Sequence, residues 1–126
     1  MCHVAQGHRL TSLAFMSEAM TPFERGELLP KLFQIGKAVE VEREVIRSSI
    51  GAPFFVETDS SRTFGGEEDW WAYRLPSGEV VALCLAVPYK EVRMLASAAN
   101  NPCCISALKE LLGAWAMEFY ERAYAV

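Results

Sequence analysis

Asp69-Trp70-Trp71-Ala72-Tyr73-Arg74-Leu75-Pro76-Ser77-Gly78-Glu79-Val80-Val81-Ala82-Leu83-Cys84-Leu85-Ala86-Val87 reads as two strands around a tight turn. Trp71, Tyr73 and Leu75 alternate with Trp70, Ala72 and Arg74, which is the period of a strand. Pro76-Ser77-Gly78 then supplies a turn in which glycine can take positive φ. The spacing predicts an antiparallel hairpin of 69–75 with 79–87. In its second strand Val81, Leu83, Leu85 and Val87 share one face, while Val80, Ala82, Cys84 and Ala86 share the other. Both faces are apolar, so this strand is expected at the centre of its sheet and covered on two sides.

Upstream, Pro53-Phe54-Phe55-Val56-Glu57 reads as a short third strand. The region before it reads as helical. Thr21-Pro22-Phe23-Glu24 has the pattern of a capping box with proline at the first helical position. Pro30 is expected to kink or restart that helix. Beyond it Leu28, Leu32, Ile35, Val39, Ile46 and Ile50 fall on one stripe at helical spacing, with Gly51 and Pro53 as the stop. After the hairpin, 88–98 suits a helix. Asn101-Pro102 then opens a last helix whose apolar face runs through Cys104, Ile105, Leu108, Leu111, Leu112, Trp115 and Phe119.

The resulting expectation is an α+β fold. A small antiparallel sheet of about three strands, near 54–57, 69–75 and 79–87, carries N-terminal helices and two C-terminal helices. Residues 1–20, where only Leu10, Leu13, Ala14 and Phe15 suggest a helix, form a poorly defined N-terminal segment, and 21–126 form a single domain.

Composition narrows the function classes. A chain of 126 residues is long enough for one core, and 52% hydrophobic with 22% charged residues excludes an intrinsically disordered composition. A net charge of −4 with no basic cluster removes the electrostatic footprint of a nucleic-acid binder. No apolar run is long enough to span a bilayer, and the start MCHVAQGHRL lacks the basic and apolar regions of a secretion signal. The cysteines Cys2, Cys84, Cys103 and Cys104 do not have the spacing of a secreted disulfide framework. The expected setting is therefore the cytoplasm, with neither nucleic acid nor membrane as a partner.

Recognised catalytic motifs are missing: there is no phosphate-binding glycine loop, dinucleotide fingerprint or nucleophile elbow. Cys103 at a helix start has the setting of an activated thiol, but His3 and His8 lie far away in the chain, and ordinary helix packing is the favoured reading of Cys103-Cys104. Cys2, His3 and His8 match no established zinc spacing, so no metal or cofactor is expected. The segment from Glu57 to Asp69 is the most distinctive. It holds Glu57, Asp59, Glu67, Glu68 and Asp69 against Arg62 alone, with Ser60, Ser61, Gly65 and Gly66 between them, and Trp70 follows directly.

An aromatic anchor rimmed by acids is the composition of a protein-binding hot spot, although a solvated loop and an indole lying on Ala82 and Cys84 account for it too. The expected partner-binding residues are Glu57, Asp59, Glu67, Glu68, Asp69 and Trp70. They imply a small acidic protein-binding module, of the inhibitor or immunity kind, that blocks a basic partner such as a nuclease toxin. The alternative is a small-molecule sensor or modest enzyme with a pocket at the small-residue face beside Cys84 and Trp70. A second apolar strip of Ala38, Val41 and Val45 on the expected helix needs a second contact, most simply the N-terminal segment packed over it, with a homodimer interface as the alternative.

Overall fold

The computed structural model describes residues 20–58, 66–87 and 89–126. The expected hairpin is present: β4 (Glu67–Arg74) pairs antiparallel with β5 (Val80–Ala86), with Trp71 opposite Leu83 and Tyr73 opposite Val81. Its turn is closed by the Leu75 amide donating to the Glu79 carbonyl at 2.8 Å, and Gly78 takes φ 94°. Around this hairpin the chain builds far more sheet than the sequence suggests. The remaining elements are β1 (Thr21–Pro22), β2 (Phe33–Val39), α1 (Arg43–Ile50), β3 (Phe55–Thr58), β6 (Glu91–Ala96), α2 (Pro102–Leu111) and β7 (Met117–Ala125). All seven strands lie in one antiparallel sheet of order β1-β4-β5-β6-β2-β7, with β3 also pairing on β4.

The expected three-stranded α+β arrangement with N-terminal helices is thus corrected to a seven-stranded sheet with two helices among the described residues. Three segments read as helix are strand, wholly or in part. Residues 33–39 carry β-branched Ile35 and Val39 and an interior Gly36, all poor helix formers, and their cross-strand partners on β6 and β7 override the helical stripe. The segment read as a helix over 88–98 contains β6, where Val92, Met94 and Ala96 are fully buried and alternate with Glu91 and Arg93, the period of two. The last helix stops at Leu111, just before Gly113, and the chain returns as β7. Pro22 sits in β1 against Tyr73 instead of capping a helix. The helix suggested over residues 10–15 lies outside the described residues.

Some local signals hold. Asn101 caps α2, its Oδ1 accepting from the amides of Cys103 at 2.9 Å and Cys104 at 3.1 Å, with Pro102 in the first turn. Gly51 ends α1 at φ 98°, and its amide donates to the Arg47 carbonyl at 2.9 Å.

β5 is buried on both faces, and the two faces have different covers. Val81, Leu83 and Leu85 join Trp71, Val92, Met94 and Ala96 beneath Ile46 of α1 and Cys104, Ala107 and Leu108 of α2. On the other face Val80, Ala82 and Cys84 lie with Ala72 and Leu95 under Phe23 and Leu32, flanked by Leu29, Phe54 and Trp70. The small residues of that face therefore seat the chain segment that precedes β2, where the sequence suggested a pocket.

Gly36 shows how tightly the helix-side face is filled. It lies in the row Trp71, Leu83, Met94, Gly36, Phe119 across five strands. A side chain there would collide with the Glu118 carbonyl oxygen and come within 2.7 Å of Met94 Cε. Gly36→Ala is expected to lower stability by about 1–3 kcal/mol through overpacking. An unchanged urea midpoint would show that this strand crossing has slack.

Candidate functional site

The described ends of the acidic segment fall on β3 and β4, and strand alternation divides the carboxylates of β4 between the two faces of the sheet. Asp69 points toward the helices and is completely buried. A carboxylate removed from water stays ionised only with strong partners. Arg43 and Arg47, one turn apart on α1, both grip it side-on. Arg43 donates from Nε and Nη2 at 2.9 and 2.8 Å, and Arg47 from the same two atoms at 2.9 Å each. Arg43 also reaches Glu67 at 2.8 Å. Burial raises the Asp69 carboxyl, but the hydrogen bonds and charges of Arg43 and Arg47 outweigh it, so Asp69 titrates below its ordinary value.

On the opposite face Glu68 is 3% exposed and paired with Arg93 at 3.1 Å. Trp70 donates from Nε1 to Glu68 at 3.3 Å and lies half-buried, with the Arg93 guanidinium 5.9 Å from its ring centre. Arg93 also donates to Cys84 Sγ at 3.2 Å. Glu67, Glu68 and Asp69 therefore face the guanidiniums of Arg43, Arg47 and Arg93, all from elsewhere in the chain. The acidity that is local in sequence is balanced in space. Glu57 sits across from Glu68, half-buried and itself engaged, and Asp59 lies outside the described residues. Of the expected binding residues, Asp69 and Glu68 hold the fold together, Glu67 shares Arg43 with Asp69, and Trp70 is half available.

Sequence reading missed the neighbouring rim. β3 is four residues long and, among the described residues, pairs with β4 alone. It exposes two large apolar side chains in succession, Phe55 at 44% and Val56 at 40%. Phe55 lies opposite Trp70, and its ring centre is 6.1 Å from that of Phe54, which in turn is 5.9 Å from Phe23. This aromatic series runs from the core beneath the sheet out to its edge. Phe54-Phe55-Val56 was legible as a strand, but nothing in its sequence says that the strand is an edge.

The other candidates lose their geometry. Ala38, Val41 and Val45 fall on β2, the connection after it and α1; the first two are fully buried and only Val45 is exposed, so they make no common exposed strip. Cys103 is disulfide-bonded and offers no free thiolate. Cys84 and Cys104 are free and buried; burial pushes Cys84 up to about 12 and Cys104 up to about 11. Among the described residues no group of histidine, cysteine, aspartate and glutamate side chains could hold a metal, and Cys2, His3 and His8 lie outside them. No described helix is long and apolar enough to cross a membrane. Comparison with protein-family models gives no match, and neither does comparison with curated proteins or with solved structures.

Asp69→Asn leaves two guanidiniums on a neutral amide and is expected to destabilise the fold by about 3–5 kcal/mol. Because the folded carboxyl titrates below its unfolded value of about 3.9, its contribution is complete above that pH and is lost as pH falls toward the folded value. Urea melts at falling pH are expected to show a steeper acid loss in the native protein than in Asp69→Asn; parallel curves would mean that Asp69 is not the group responsible. Native-state alkylation at mildly alkaline pH is expected to spare Cys84 and Cys104, both reacting fully in strong urea. Rapid native modification of either would contradict their burial.

Proposed function

We propose that the chain is a protein-binding module of the inhibitor kind, which takes an extended segment of its partner along the outer edge of β3. The observation that carries this reading is the pair Phe55 and Val56, exposed one after the other on a strand that pairs with β4 alone among the described residues and backed by Trp70. Strand addition draws affinity from the unpaired backbone groups of a strand edge and specificity from its alternating side chains. Here Phe55 offers an aromatic anchor on the face that holds Trp70, and Val56 an apolar one on the face that holds Asp69. The carboxylates play a supporting part. With Glu67, Glu68 and Asp69 already paired to arginines, attraction of a basic partner is secondary to apolar contact at the edge.

The test is a quantitative binding comparison against proteins retained from the native cell. Phe55→Asp with Val56→Asp is expected to weaken retention about thirtyfold or more, roughly 2 kcal/mol, with an unchanged thermal midpoint. Val45→Asp, on the exposed side of α1, is expected to bind as wild type. Equal retention by all three proteins, or no retained protein at all, overturns the reading.

A cytoplasmic location belongs to the same proposal; the free buried thiols Cys84 and Cys104 agree with it, and the disulfide at Cys103 counts against it. Trapping thiols at the moment of lysis checks it. Cys103 recovered reduced agrees with that location, and Cys103 recovered as a disulfide assigns the chain to an oxidising compartment.

A further inference from the structure

We draw no further inference here: the strongest candidate, the outer edge of β7 with its exposed Tyr124 and the oppositely charged Glu118 and Arg122, is interrupted by the bulge over residues 120–123, and nothing in the structure shows what covers it.

Discussion

β5 has no side that faces water. Its residues from Val80 to Leu85 are buried on both faces, so the fold must supply two separate covers for one strand. The helices supply the first, with Ile46, Cys104 and Leu108 over Leu83 and Leu85. The second is the irregular segment leading into β2, which brings Phe23 and Leu32 down on Ala82 and Cys84. Small side chains on that face let the backbone of the covering segment approach closely, as an extended cover needs. The neighbours of β5 follow from the same demand: β4 and β6 flank it with Trp71, Met94 and Leu95, each 2% exposed or less.

Placing Asp69 beside this core sets the electrostatics. A buried carboxylate flanked by Leu85 has to be met by cations that are themselves held in place, and the one-turn spacing of Arg43 and Arg47 delivers two guanidiniums from one helix face. α1 is only eight residues long and buries one apolar side chain, Ile46. Its attachment therefore draws on this ionic clamp, and on Trp71 Nε1 donating to the Gly51 carbonyl at 2.9 Å, as much as on apolar contact. Glu68 with Arg93 repeats the arrangement on the other face. Glu68 and Asp69 are thus buried and engaged with arginines within the fold, whereas Phe55 and Val56 beside them are exposed.

The two edges of the sheet are unlike. β7 closes one edge with nine residues, but its register against β2 slips between Phe119 and Tyr124, and such a bulge is a common means of keeping edge strands from pairing with other chains. The β4 edge is shared by β1, which contains Pro22, and β3, which has neither proline nor bulge within it. Among the described residues the edge that exposes Phe55 and Val56 is therefore guarded by the shortness of β3 and not by a bulge or proline within it.

The sequence by itself determined the hairpin, the two-sided burial of β5 and the caps at Gly51 and Asn101, because each depends on residues close together in the chain: a turn glycine, an alternation, an asparagine before a proline. Only the tertiary structure decided that 33–39, 91–96 and 117–125 are strands. Their local patterns permit a helix, and the choice came from hydrogen-bonding partners tens of residues away. The same holds for the acidic segment. Charge counted along the chain sees five carboxylates and Arg62, whereas the fold brings in Arg43, Arg47 and Arg93, because electrostatic neutrality is settled over a few ångströms of space and not over a dozen residues of sequence.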